Sequence, residues 1–265
     1  MQKITSCLLA IFVFGIFCAG DQIHGQDAWG NMKGNVKVVG DLPEIKSEVI
    51  DKDKPVCLEG RESPLDDNII VGKGGEFADV FVMMYLRRAK VKPAVHPSYE
   101  SQASEPVVLD NKDCRFAPHA FFIRTGQTLR MKNSDKVGHN CHCKAFNNEF
   151  NVTVPQGDFV DLKLNEVENV PGDIVCDIHP WMDAIVLVRD EPYAAVTDKN
   201  GEFEIKNLPA GKWKFQLWHK KMGYLKKLQG PDSKIGRYGE FEVEIKDGET
   251  LDLGELKIDA QYFKK

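Results

Sequence analysis

Helical periodicity is scarce in this chain of 265 residues, which argues against a helical bundle. There is no G-x-S-x-G elbow, no phosphate-cradling glycine loop and no visible nucleophile–base arrangement, so hydrolase and nucleotide chemistry find no support and the chain reads as a non-enzyme. A basic excess is missing too: 35 Lys and Arg stand against 40 Asp and Glu, a formal charge of −5 that argues against nucleic acid as a partner. Long apolar runs are absent beyond residue 20, so nothing after the N-terminus is expected to span a membrane.

The exception is the opening, "MQKITSCLLAIFVFGIFCAG": Lys3, a short apolar run, then Cys18-Ala19-Gly20. It reads as a secretory signal over residues 1–20, with a retained anchor as the alternative. Without those residues, which hold one lysine and no acid, the charge becomes −6. The expected location is outside the cytoplasm, periplasmic or at the cell surface. Of seven cysteines, Cys7 and Cys18 go with the signal, leaving Cys57, Cys114, Cys141, Cys143 and Cys176. An odd number in an exported chain means at least one thiol outside an intramolecular disulfide. Cys57 in "DKPVCLEG" and Cys114 in "NKDCRFAP" lie in turn-like contexts and are the expected bridge.

What the chain does contain is many short alternating or β-branched runs, "NVKVVGDLP", "ADVFVMMYL", "AFFIRTGQTLRMKNSD", "AIVLVRD", "KWKFQLWH", punctuated by Gly, Pro, Asn and Asp. That pattern predicts an all-β sandwich or barrel. The best helix candidate is the weak "SYESQAS". Asp198-Lys199-Asn200-Gly201 and Pro209-Ala210-Gly211 supply turns where a positive φ is cheap. A boundary is expected near Arg189–Asp198, because the tail beyond Gly201 holds no cysteine and one histidine, His219.

"VCDIHPWMDA" carries the chemistry. Cys176, His179 and Met182 stand at C-x2-H-x2-M spacing, and a loop can turn all three toward one ion where a straight strand cannot. Thiolate, imidazole and thioether together suit copper once a second imidazole joins them. His139-Asn140, after the apolar strand and the Asn-Ser-Asp turn of "MKNSDKVGHN", is the candidate. A zinc half-site at C-x2-H and Met182 as plain core filler are the rival readings. Cys141 and Cys143 share a strand face with His139 and read as small buried hydrophobes rather than as a binuclear pair; His142 faces the other way. His96, His119 and His219 each stand alone and read as structural.

The stretch "F-x-P-x(5)-R-T-G-Q-T-L-R-M-K-N-S-D-x(3)-H-N … C-x-x-H-x-x-M", roughly Val107 to Val188, resembles a cupredoxin, with a ligand loop similar to that of amicyanin. "VTDKNGEFEIKNLPAGKWKFQLWH" resembles the carboxypeptidase regulatory-like, transthyretin-like β-sandwich. The pair resembles bacterial exported proteins of the methylamine-utilisation-like kind. The resemblance implies one type 1 copper held by His139, Cys176 and His179, with Met182 axial. It implies that Asn140 ties the ligand loops together and that Pro180 and Trp181 are either plain surface or an apolar patch beside an exposed ligand histidine. It implies single-electron transfer with redox proteins of cytochrome or dehydrogenase type; a copper carrier or a surface interaction module with a structural metal are the alternatives. The implied organisation is a copper domain over 27–190 (core 106–190), whose N-terminal part adds strands to it, then a small transthyretin-like sandwich over 191–260.

Overall fold

The computed structural model describes residues 28–264 apart from 43, 88, 90 and 231–233. The expected signal over residues 1–20 lies outside the described residues. Among those described, no helix is long and apolar enough to cross a membrane.

The chain is all-β, as expected. In order, it runs β1 (Trp29–Val39), α1 (Lys54–Cys57), β2 (Phe81–Met84), α2 (Ser98–Ser104), β3 (Val107–Lys112), β4 (Arg115–Ala117), β5 (Ala120–Arg124), β6 (Thr128–Asn133) and β7 (His139–Cys143). There follow β8 (Phe150–Val154), β9 (Phe159–Lys163), β10 (Gly172–Val175), β11 (Asp183–Arg189), β12 (Ala194–Val196) and β13 (Glu202–Pro209). The last strands are β14 (Gly211–His219), β15 (Gly223–Tyr224), β16 (Phe241–Ile245) and β17 (Thr250–Asp259), followed by a 3-10 turn over Ala260–Lys264. The weak "SYESQAS" signal is realised as α2.

Two sandwiches result. In the first, the sheet β5-β11-β10-β7-β8 faces β4-β3-β6-β9. Between them lies a core of Leu109, Phe116, Ile123, Met131, Ile174, Met182 and Val186, in which Cys141, Cys143 and Cys176 are embedded. In the second, β13-β1-β17 faces β12-β2-β14-β15, with β16 on the far side of β14. Its core includes Met32, Val36, Phe77, Val82, Phe215, Leu217 and Ile258. The predicted turns carry the conformation that only glycine takes cheaply, with φ +72 at Gly201 and +124 at Gly211. A Cβ at Gly201 would meet the Val36 carbonyl at 2.4 Å.

Strand alternation explains how the sandwiches join. Every residue of β11 is buried, because Ala184, Val186 and Val188 enter the first core while Ile185 and Leu187 face outward. There they meet Phe81, Met83 and Trp218 from β2 and β14, whose alternate residues Val82 and Met84 fill the second core. "AIVLV" is an unbroken apolar run because both its faces are covered.

The N-terminal segment divides differently from expectation. Strands β1 and β2 do not extend the first sandwich, to which the candidate ligands belong. β1 lies between β13 and β17, and β2 between β12 and β14, so both belong to the second sandwich. The physical reason is that Met32, Val36 and Val38, alternating on one face of β1, complete the core above β17. The segment between them enters the core of the first sandwich, where Ile50, Cys57 and Leu58 join it. There Cys57 is disulfide-bonded to Cys114, as expected from their contexts.

Candidate metal centre

Register brings the four candidate ligands to one end of the first sandwich. β10 pairs with β7 through Ile174 and Val175, and with β11 through Val175 opposite Asp183. The loop 176–182 therefore opens beside the start of β7 and closes directly into β11. Two backbone bonds keep it tight: the Cys176 N–H donates to Met182 O at 3.1 Å, and the Met182 N–H to His179 O at 2.9 Å.

His139, Cys176, His179 and Met182 are all buried, none more than 1 % exposed. The two imidazoles face each other through Nδ1 at 3.0 Å. Cys176 Sγ stands 3.9 Å from Nδ1 of His139 and 3.8 Å from Nδ1 of His179. A point about 2.0 Å from both nitrogens then falls about 2.2 Å from the sulfur, close to the bonds first-row ions form with imidazole and thiolate. The donors therefore fit such an ion. The Met182 side chain is wholly enclosed in the same core.

The outer edges of the rings explain why Nδ1 faces inward. His139 Nε2 donates to Asp135 Oδ2 at 2.9 Å, and His179 Nε2 to Asp53 Oδ2 at 2.9 Å. An imidazole holding its proton at Nε2 leaves the Nδ1 lone pair free for a metal, an arrangement carboxylates commonly impose on ligand histidines. Asp135 is itself fixed by the backbone N–H groups of Asp113 (2.7 Å) and Cys114 (2.9 Å). Burial alone would raise its carboxyl pKa, but His139 and those two amides hold it below the usual range.

The thiol is drawn the same way. Burial would push Cys176 up, yet the His139 imidazole and the N–H groups of Asn140, His179 and Ile178 bring it below its ordinary value. His139 is the counterpart: burial lowers it, while Asp135 and Cys176 outweigh that and raise it to about 9. Cys141 and Cys143 differ. Burial pushes them up to about 12 and 11, so they stay neutral thiols in the core, as the sequence led us to expect.

Asn140 links the ligand strands. Its Oδ1 accepts the Asp177 N–H at 2.8 Å and lies 3.3 Å from Cys176 Sγ, while its Nδ2 donates to Asp177 and Asn151. His142 points away and meets Asp177 at 3.0 Å. Trp181 departs from expectation. Rather than forming a surface patch it is buried, its Nε1–H donating to Cys114 O at 3.1 Å and its ring 5.1 Å from His179. Pro180 is exposed, but no bare histidine edge lies beside it, since Asp53 covers His179.

Asp53 and Asp135 were missed from the sequence. Asp135 sits four residues before His139 inside the quoted motif and could have been found there. Asp53, 126 residues before His179, left no local signal.

No family model and no curated protein sequence matches the chain. Among solved structures, a Cu-containing nitrite reductase from Thermus scotoductus SA-01 is similar at 20% identity and TM-score 0.30, over 38% of this chain and 24% of that one. A mutant of amicyanin in its reduced Cu(I) form is similar at 24% identity and TM-score 0.29, over 33% and 85%. A purple cupredoxin from Nitrosopumilus maritimus gives 23% and 0.27, over 32% and 99%. These likenesses cover a third or so of the chain, and the metal centre stands on its own geometry.

Proposed function

We propose that this chain is a cupredoxin-like type 1 copper protein that carries single electrons between redox proteins outside the cytoplasm, and that it is not an enzyme. His139, Cys176 and His179 would hold the ion, with Met182 as the weak axial donor. The observation that carries this reading is the meeting of two Nδ1 atoms and one thiol whose outer partners already point them inward. Copper, when bound there, supplies a Cu(II)/Cu(I) couple.

The protein's part is to hold still. Asp135 and Asp53 fix the ring planes, Asn140 fixes the Cys176 strand end, and the two sheets shut out water. Donors that need not move between oxidation states keep the reorganisation on electron transfer small. A copper carrier, the rival reading, needs donors that open to release the ion; four enclosed donors favour the electron carrier. The second sandwich, with its transthyretin-like resemblance, is read as a module without redox chemistry of its own.

Adding Cu(II) to the purified chain tests this. An intense visible thiolate-to-copper band saturating at one equivalent is expected; a colourless complex would sink the assignment. Substitutions at Met182 refine it. Met182→Leu should stay coloured and shift the potential upward, because an apolar axial side disfavours the more charged Cu(II), whereas Met182→Gln, with a harder oxygen, should lower it. Unchanged voltammetric potentials in both variants would mean that Met182 does not face the ion. Asp53→Ala should keep the band but speed electron exchange with small soluble oxidants, since it bares the His179 edge.

A further inference from the structure

His119, which reads as a lone structural histidine, sits among carboxylates from three other parts of the chain. Its Nδ1 lies 2.7 Å from Asp79 Oδ2, just before β2, and therefore donates there. The other nitrogen, Nε2, points at Asp67 Oδ1 and Asp183 Oδ2, 3.8 Å from each. Those distances are too long for hydrogen bonds. His119's side chain is only 9% exposed, and its Nε2 is buried with no partner. Asp67 Oδ1 is buried without a partner as well. Two facing polar atoms left unpaired in the interior are costly, and such pairs call for a ligand.

We propose that His119 Nε2, Asp67 and Asp183 form a second metal site, for a divalent ion of the zinc class, at the seam between the two sandwiches.

The three donor atoms lie within 4.8 Å of one another. With two of the three spans at 3.8 Å and the third no longer than 4.8 Å, a point equidistant from the donors lies about 2.0–2.5 Å from each, which takes in the range for imidazole nitrogen and carboxylate oxygen on zinc. One nitrogen and two oxygens suit a borderline ion, and the imidazole disfavours calcium or magnesium. Asp79 does for His119 what Asp135 and Asp53 do at the copper centre, placing the proton on the far nitrogen. Arg115 holds the other oxygen of Asp67. Lys220 pairs with Asp183 Oδ2, which it would share with the ion, and Asn68 Nδ2 reaches Asp183 Oδ1 at 3.4 Å.

Charge points the same way. Glu48 and Asp66 add to Asp67, Asp79 and Asp183, five carboxylates against the fixed cations Arg115, Lys220 and Lys221. The Asp67 carboxyl is held above its usual range, by burial first and with Asp183 adding to it, although His119 and Arg115 oppose. A divalent ion relieves that excess. The competing occupant is a proton: burial lowers the pKa of His119, but Asp183, Asp79 and Asp67 raise it to about 10, giving an imidazolium in place of a metal.

The site is independent of the copper reading. It would staple the segment carrying Asp67, the β4–β5 link and the first residue of β11, with Asp79 from the second sandwich behind it.

The test uses the full chain with Cys176→Ala, so that the copper centre cannot hold Zn2+ through sulfur. Calorimetry with Zn2+ alone should show one ion bound and a melting midpoint raised by several degrees. With Asp67→Asn added, which keeps the shape and removes the anionic donor, binding should weaken at least tenfold. His119→Gln, in protein shown to be folded by its own melt, should do the same. Co2+ in place of Zn2+ should give a weak visible band in the Cys176→Ala protein and none once Asp67 is changed. No Zn2+ uptake by Cys176→Ala, or equal affinity with and without Asp67→Asn, overturns the site and leaves the protonated histidine.

Discussion

Cys176→Ser is expected to abolish the intense visible band altogether and to weaken Cu(II) binding by more than the roughly 10–100-fold that loss of an outer partner costs a metal site. The band needs a thiolate, and the environment of Cys176 is arranged to make one: His139 beside it, and N–H groups of Asn140, His179 and Ile178 directed at the sulfur. A hydroxyl in its place remains protonated and is a poor donor to a soft ion. The fold should survive, since serine is nearly the same size and can reach Asn140 Oδ1, now 3.3 Å from the sulfur. Absorption spectroscopy on the copper-loaded variant decides the matter. A variant that stays blue with Cys176 gone would move the thiolate to Cys141 or Cys143, against the burial that keeps both of them neutral.

Opening the Cys57–Cys114 disulfide, as the double variant Cys57→Ser/Cys114→Ser, should have the next largest effect. The bridge closes a loop with a sequence separation of 57, worth about 4 kcal/mol on the chain-entropy account. In a protein of this size that lowers the melting midpoint by about 10 °C. The loss also reaches the metal centre at both rings. Asp53 precedes the helix that ends in Cys57, while Cys114 supplies the N–H that fixes Asp135 and the carbonyl that holds Trp181. The copper-loaded variant should keep its colour, because no ligand is touched, but give up its copper to a chelator markedly faster. An unchanged midpoint together with an unchanged extraction rate would mean that other contacts hold this segment, such as Arg61 on Asp113 and Arg115 on Asp67.

Ligand chemistry was legible from the sequence because three of the four proposed donors fall within seven residues, where one loop suffices to gather them. The fourth, His139, could be found at a strand end by its neighbours. The partners that orient the rings were not legible, since Asp53 meets His179 only after the chain has doubled back. His119 looked solitary for the same reason: the carboxylate on its Nδ1 is 40 residues away. Strands were readable from alternation, but period two states which face is buried and not which strand lies alongside. "NVKVVGDLP" would read identically beside either sandwich, so the assignment of β1 to the wrong one could not be detected before the pairing was seen.

That pairing has a consequence for synthesis. β1 is synthesised well before β17, to which it runs parallel, Val36 opposite Leu256 and Val38 opposite Ile258. That partner is not made until the whole first sandwich and most of the second have followed. Until then its unpaired edge and the apolar residues Met32, Val36 and Val38 must wait, while the first sandwich, whose strands are contiguous from β3 to β11, can already close. Contacts this distant in sequence form slowly and leave a strand edge open to wrong partners. Nascent chains arrested before residue 250 should therefore protect β3–β11 from protease while leaving β1 cleavable, and protection of β1 should appear only once β17 has emerged.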